Sequence, residues 1–322
     1  QTRAIEPNWE AVTCEWVHPP AIRERETVPD LWASWDRVRP TIDSVVEDTV
    51  HGSAHVSLAA LEVLRDEAAM LEADGSWAQI AAIAADLRSA RSSMAVVRVR
   101  IDRVMTAASE ERTPAAVREA AIDYLDRARA ADAAAAKRAA DLIDEAVVFT
   151  LSHSGTVERA LAVGNPAAVS VAESRPGREG RDLAAAIAGD TPVTVVQDAS
   201  IPAAVRDADL VLVGADTVFR NGDVLNKTGT LAAAVAADWA DVPFYVVTAT
   251  DKITPETEWT ALGGGEDGGQ SPAGVTDLAP IFERTPASLL TAVVAETGHL
   301  DPAAVEAVAD CHARAAAWMA NR

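Results

Sequence analysis

Residues 209–251 read DLVLVGADTVFRNGDVLNKTGTLAAAVAADWADVPFYVVTATD, and this stretch decides the fold. One apolar run, Leu210–Val213, opens it, and a second, Pro243–Val247, comes near its end. The alanine-rich segment Leu231–Trp239 between them has a helical pattern. Apolar run, polar loop, helix and apolar run together predict a βαβ unit of a parallel sheet, which binds ligands at the carboxyl edge of its strands.

The polar loop of this unit carries carboxylates, amides, a lysine and glycines close together. Its members are Asp216, Asn221, Gly222, Asp223, Asn226, Lys227, Gly229 and Thr230. An ordinary connection does not need that inventory, so we expect a ligand here. Asp216 alone is ambiguous, because an aspartate in this position can act as a general acid or base or can accept backbone N–H bonds of the loop.

The rest of the chain after Glu145 alternates strands with helices. The runs AVVFTLS, AAVSVAESRP and TPVTVVQDAS are each followed by a helical pattern, which predicts an α/β fold with a Rossmann-like, doubly wound parallel sheet. Further on, we expect a flexible glycine-rich loop at residues 263–276. A helix that begins after Thr285 and Pro286 and a last helix from Pro302 to Ala320 complete the pattern.

Residues 41–144 have apolar positions three and four apart, which predicts a helical bundle domain. The interruption His51-Gly52-Ser53-Ala54 falls within one of these helices, and close helix packing would explain Gly52. Residues 1–40 are rich in tryptophan and proline and form an N-terminal extension. The predicted division is therefore 1–40, 41–144 and 145–322.

Composition limits the partners. The net charge is −21 and the pI is about 4.6, which argues against direct binding of nucleic acid. The acidic, lysine-poor composition indicates a halophilic source or a merely acidic protein from a high-GC genome. With no secretory h-region, no apolar run of about 18 residues and only two cysteines, we expect a cytoplasmic protein without a membrane span. No GxGxxG, P-loop or metal-spaced cluster is present, so no cofactor and no metal is predicted.

Polar residues at the ends of the predicted strands favour a phosphorylated small molecule. The loop 150–156 has Ser152, His153 and Ser154 ahead of a helix, whose first N–H groups attract anions. The loop 173–181 adds arginines. Taken alone, Arg175 and Lys227 would be assigned to surface ion pairs, but their shared place at strand ends favours binding. His153 is a candidate base or a solvated side chain.

Four of these stretches resemble the initiation factor 2B α/β/δ-like superfamily, which also includes ribose-1,5-bisphosphate and methylthioribose-1-phosphate isomerases. They are GADTVFRNGDVLNKTGT, AESRPGREGRDLA, TLSHSGTVERAL and FERTPASLLTAVVAETG. The resemblance implies a helical domain on a Rossmann-like domain that dimerises through its sheet. It also implies ligand-binding roles for Gly52, Arg91, Glu173, Arg175, Arg181, Asn226 and Lys227.

The resemblance further implies catalytic positions that this chain keeps only in part. The isomerases use an aspartate in the Gly-Ala-Asp loop, which is Asp216 here, and a cysteine, whose place is taken by Ser152. Their phosphate-binding arginine is replaced by His51. Three hypotheses follow. The chain is a regulatory binder of a sugar phosphate or nucleotide, a phosphosugar aldose–ketose isomerase that uses Asp216 and Ser152, or a purely structural subunit. In each case we expect a homodimer or a higher homo-oligomer.

Overall fold

The N-terminal half of the protein is helical. The computed structural model describes residues 22, 25–48, 51–91, 94–189, 191–258 and 280–321, so Cys14, much of the predicted extension and the glycine-rich loop lie outside the described residues. Thr41, Ser76 and Thr113 start their helices by accepting a backbone N–H three residues on. The helices are α1 (Leu31–Val38), α2 (Ile42–Glu47), α3 (Ser53–Met70), α4 (Trp77–Ser89), α5 (Ala95–Ala107) and α6 (Pro114–Ala140).

A seven-stranded sheet forms the second half, and its layer of parallel strands confirms the predicted fold class. The strands are β1 (Val147–Leu151), β2 (Ala168–Ala172), β3 (Val193–Val196), β4 (Leu210–Val213), β7 (Phe244–Val247), β9 (Ala292–Ala295) and β10 (Gly298–Leu300). Their order in the sheet is β10-β9-β7-β4-β1-β2-β3, and only β10 is antiparallel to its neighbour. The helices between and after them are α7 (Gly155–Val163), α8 (Glu179–Ile187), α9 (Ile201–Arg206), α10 (Thr230–Ala240) and α11 (Pro302–Ala315).

The chain reverses direction across the sheet between β1 and β4. From β1 it adds β2 and β3 on one side, and then it returns to place β4 on the other side of β1. Such a switch point opens a crevice between the loops that follow the two strands, which is where doubly wound sheets bind ligands. Here the two loops begin at Ser152 and Gly214.

The segment 214–230 is not the continuous loop that the sequence predicted. Two short strands lie within it, β5 (Thr217–Val218) and β6 (Val224–Lys227), and they pair with β8 (Phe282–Thr285) in a separate antiparallel sheet. All four residues of β6 are buried. Asn226 and Lys227 are therefore strand residues, placed by a ladder rather than by a flexible turn.

The predicted helix after Thr285 is wrong. Residues 282–285 form β8, and Ala292–Ala295 and Gly298–Leu300 form the antiparallel hairpin β9–β10. Val293 and Val294 are buried beside β7, and β-branched residues suit such a strand. Gly298 has φ +130°, which closes the hairpin in a conformation that a side chain would oppose.

The helical interruption at residues 51–54 separates two helices instead of bending one. α2 ends at Glu47, and Gly52 is the N-cap of α3. A Cβ atom on Gly52 would meet nothing within 4 Å, so the predicted explanation by close packing is also wrong. No described helix is both long and apolar enough to cross a membrane.

Gly180 fixes the approach of α8 to the sheet, and its replacement provides a test of that packing. A Cβ at this position would lie 1.9 Å from the carbonyl oxygen of Ala172, the last residue of β2. We expect Gly180→Ala to lower the free energy of unfolding by about 1–3 kcal/mol, because the backbone must move to relieve the overlap. Denaturant titration measures the change.

Gly189→Ala is the matched control, because a Cβ there meets nothing within 4 Å. An equal loss of unfolding free energy in both variants would show that the close approach at Gly180 does not contribute to the stability.

Candidate functional site

The loops after β1 and β4 touch at the switch point. A Cβ on Gly214 would lie 2.5 Å from Oγ of Ser154, so only glycine allows this approach. Ser154 is also the N-cap of α7 and accepts from the N–H of Val157 at 3.5 Å. The contact sets the width of the crevice at its base.

Ser152 lies at the crevice with a left-handed backbone, φ +58°. Its N–H donates to Oγ of Ser174 at 2.8 Å, and in the described part of the chain its own hydroxyl has no hydrogen-bond partner. His153 does not serve it, because Nε2 of His153 lies 2.7 Å from a carboxylate oxygen of Glu158. The geometry therefore supplies no base for the Ser152 hydroxyl.

The arginine loop after β2 is organised by two carboxylates. Oε1 and Oε2 of Glu173 accept from Nε of Arg175 at 2.8 Å and from Nε of Arg181 at 3.1 Å. The bond from Arg175 is the main reason why the pKa of Glu173 is lowered. Asp198, which follows β3, accepts the backbone N–H groups of Ser174 and Arg175, each at 2.8 Å. Backbone and side chains of this loop are thus held in place together.

Arg175 and Arg181 keep their charged ends in solvent, with side chains 59% and 54% exposed. A guanidinium has five N–H donors, so the bond to Glu173 does not exhaust them. The pair forms a fork of fixed position that suits a phosphate.

Lys227 and Asn226 are buried on β6. Nζ of Lys227 bonds Oε1 of Glu179 at 2.7 Å, which connects β6 to the first turn of α8. Nδ2 of Asn226 donates to Oγ1 of Thr230 at 3.0 Å, where α10 begins. Both residues brace the strand-end loops, and Lys227 brings its charge to the arginine side of the crevice.

Asp216 stands after β4, and among the described residues no side chain or backbone group donates a hydrogen bond to its carboxylate. Its N–H is used by the carbonyl of Leu225. The nearby cation is Lys252, whose Nζ donates to the carbonyl of Ala215 at 2.6 Å. Burial lowers the pKa of Lys252, and the negative charge of Asp216 opposes that shift. This arrangement suits an acid–base group.

Sequence reasoning missed Lys252 and its neighbour Asp251. They follow β7, so the loop at the end of this strand belongs to the same sheet edge as the others. The pattern was visible: two charged residues come four and five positions after a buried apolar strand. A buried charge at a strand end is a functional candidate.

Asp251 joins the sheet edge to the helical half. Its Oδ2 accepts from Nε of Arg100 at 3.0 Å, and its Oδ1 accepts from the hydroxyl of Tyr124 at 2.7 Å. Arg100 is fully buried on α5 and also donates to Oγ of Ser57 on α3 at 2.9 Å. Two helices, α5 and α6, thereby bond the carboxylate of Asp251, and Arg100 adds α3 through Ser57.

Arg91 and Gly52 lie apart from this group of contacts. Nη1 of Arg91 donates to the carbonyls of Val46 at 3.0 Å and Asp48 at 2.6 Å, at the end of α2. Gly52 starts α3 and has open space beside its Cα. Within the described ranges, neither forms a hydrogen bond with Ser152, Asp216 or the arginine loop.

Comparison with known proteins gives a consistent family. The model of the Initiation factor 2 subunit family matches residues 49–302. The ribose 1,5-bisphosphate isomerase of Haloterrigena turkmenica is 30% identical over 298 residues, which is 82% of this chain and 90% of that protein. The methylthioribose-1-phosphate isomerase of Rhodopirellula baltica is 35% identical over 153 residues, covering 42% of this chain and 43% of its own.

Among solved structures, the translation initiation factor eIF-2B of Pyrococcus horikoshii OT3 superposes with a TM-score of 0.70 at 23% identity, covering 80% of this chain and 94% of that one. At this identity the match shows the fold. The resemblance found in the sequence is confirmed.

The Arg100–Asp251 pair provides a test of how the two halves are joined. Asp251→Ala leaves a fully buried guanidinium without its main partner, so we expect the free energy of unfolding to fall by about 3–5 kcal/mol. Thermal and denaturant unfolding measure the loss.

The control is Asp310→Ala, which removes a carboxylate 2.6 Å from Arg220 in a partly exposed pair. This change should hardly move the unfolding midpoint, because surface pairs contribute little. Comparable losses in the two variants would contradict the assignment of Asp251 as the link between the halves.

Lys252 predicts a pH dependence. Burial lowers its pKa from the ordinary 10.5, so the folded state binds this proton more weakly than the unfolded chain does. The resulting destabilisation is fully present below the lowered pKa and is lost as the pH rises from the lowered pKa towards the ordinary one. The unfolding free energy of the wild type minus that of Lys252→Met should therefore increase with pH over this window, measured by denaturant titration at stepped pH. The exposed Lys137, replaced in the same way, should give parallel curves, and parallel curves for Lys252→Met would refute the prediction.

Proposed function

The chain belongs to the initiation factor 2 subunit family, and from this premise we propose that it binds a sugar phosphate or a nucleotide in the crevice between the β1 and β4 loops, in a regulatory or assembly role. The hydrogen bond from Ser152 N–H to Ser174 carries the proposal, because it draws the arginine loop to the mouth of the crevice. The ligand's phosphate then meets Arg175 and Arg181, and its polar hydroxyls face Asp216.

The cations of the arginine side support an anionic ligand. Glu173, Glu179 and Asp198 balance the charges of Arg175, Arg181 and Lys227, so this side of the crevice is close to neutral. In a chain of net charge −21, a neutral group with exposed guanidinium donors repels an approaching phosphate less than the rest of the surface does.

A binding role without turnover is supported by the state of Ser152. A serine hydroxyl needs an adjacent base to act as a nucleophile, and His153 is held by Glu158 instead. The thiol that the related isomerases use is not available at this position. The crevice therefore keeps groups for recognition and lacks one group for catalysis.

A phosphosugar aldose–ketose isomerase is the second candidate, and a specific observation favours it. The isomerase of Haloterrigena turkmenica aligns over nearly its whole length with this chain. Isomerisation needs a group that gives and takes protons, and Asp216, with Lys252 nearby, is suited to that task. In this scheme Asp216 acts as the acid–base residue, and Lys252 positions it through the backbone of Ala215.

We further propose that two copies associate through the sheet half. On α10, Val235 and Trp239 lie one turn apart and are 53% and 77% exposed. A large apolar side chain so exposed is typical of an interface. The cytoplasmic location and the halophilic source stay predictions.

Calorimetry with ribose 1,5-bisphosphate, methylthioribose 1-phosphate and nucleoside monophosphates tests the binding proposal. We expect one ligand class to bind, and Arg175→Ala to weaken its affinity about tenfold or more, since a charge-assisted bond is lost. Arg206→Ala, which removes an exposed arginine on α9, should have no effect. If none of these sugar phosphates and nucleotides binds, the binding proposal is wrong.

The same ligands separate the two candidates by turnover. If the chain is a binder, the wild type converts none of them, and Ser152→Cys introduces slow turnover that Asp216→Asn removes. Turnover by the wild type that is lost in Asp216→Asn would establish the isomerase instead. Full activity of Asp216→Asn would rule out the acid–base role of this residue.

A further inference from the structure

Asp48, His51 and His55 converge at the junction of α2 and α3. One ligand atom of each lies within 4.8 Å of the other two. Nδ1 of His51 is 2.9 Å and 3.2 Å from the two carboxylate oxygens of Asp48. The imidazole rings of His51 and His55 are stacked, with centroids 4.0 Å apart. We propose that these three side chains bind a divalent transition metal.

The donor set fits such an ion. Imidazole nitrogen and carboxylate oxygen bind Zn²⁺ at about 2.0–2.2 Å, and two histidines with one carboxylate leave one tetrahedral position open. Ligand atoms of such a site are about 3.4 Å apart, so side-chain rotations that bring the atoms closer by little more than 1 Å complete it. The metal replaces the hydrogen bond between Asp48 and His51 with two stronger bonds.

The backbone that carries the aspartate is already fixed. Arg91 donates to the carbonyl of Asp48 at 2.6 Å, and the N–H of His51 donates to Oδ1 of Asp48 at 2.9 Å. The Asp48 side chain is 16% exposed and that of His51 52% exposed. The carboxylate of Asp48 is therefore held in position before an ion binds, and the two exposed histidines leave the site accessible from solvent.

The fourth, open coordination position takes a water molecule, as in zinc sites with three protein ligands.

Co²⁺ titration of the chelator-treated protein tests the site. We expect binding of one ion per chain, with the visible absorption of tetrahedral nitrogen and oxygen coordination. His55→Ala and His51→Ala should each weaken Co²⁺ binding by more than about 100-fold, since the loss of an outer-shell partner alone costs about 10–100-fold. His299→Ala, which removes an exposed histidine on β10, should bind like the wild type.

Three results would overturn the assignment. They are the absence of Co²⁺ binding, binding that His55→Ala leaves unchanged, and a thiolate charge-transfer band that places the ion on Cys14 or Cys311. In the first case the cluster is a local ion pair beside a stacked ring. Unfolding midpoints check that each variant is folded. The sugar-phosphate titrations use metal-free protein, so failure of the metal site and failure of the crevice proposal are told apart.

Discussion

The buried ion pair between Arg100 and Asp251 is the interaction on which the rest of the structure depends. Arg100 has no exposed surface, so its charge must be compensated inside the protein. Asp251 does this from the end of β7, and Tyr124 adds a hydrogen bond to the same carboxylate. This requirement helps to orient the helical half on the sheet, together with bonds such as that from Arg98 to Thr254, since apolar packing alone has no direction. The next residue, Lys252, reaches the backbone before Asp216, so the same link continues into the crevice.

Around the crevice, acidic side chains position the basic ones. Glu173 holds two arginines, and Glu179 holds Lys227 across from β6. In a chain of net charge −21, a cationic side chain without a fixed partner can pair with many different surface carboxylates. Short bonds to Glu173, which is buried, and to Glu179, which is partly exposed, limit that competition. The recognition surface is thereby fixed before a ligand arrives, which reduces the entropy lost on binding.

The sequence allowed the parallel sheet to be predicted, because β1, β2, β4 and β7 are short apolar runs separated by helices. It also placed Ser152, Arg175 and Asp216 at one sheet edge, as topology requires.

The hairpin β9–β10 was mistaken for a helix, since LLTAVVAE contains apolar residues at spacings that fit either structure. Burial against β7 decides the outcome, and burial is a tertiary property. The strands β5 and β6 span two and four residues, too few for a period to be seen. Lys252 lies in a short loop without glycine, so no feature of composition marks it, and the convergence of Asp48, His51 and His55 depends on how two helices meet.

The contact between Gly214 and Ser154 couples position 214 to the start of α7. Ser154 supports the first turn of α7, and Gly214 precedes the loop of Asp216. Any side chain at position 214 would displace the serine hydroxyl, and the helix would lose its cap. A substitution at position 214, directly after β4, would therefore fray α7, the helix that follows the neighbouring strand β1. The loops after β1 and β4 therefore constrain each other, and a larger side chain at the contact in one loop requires a compensating change in the other.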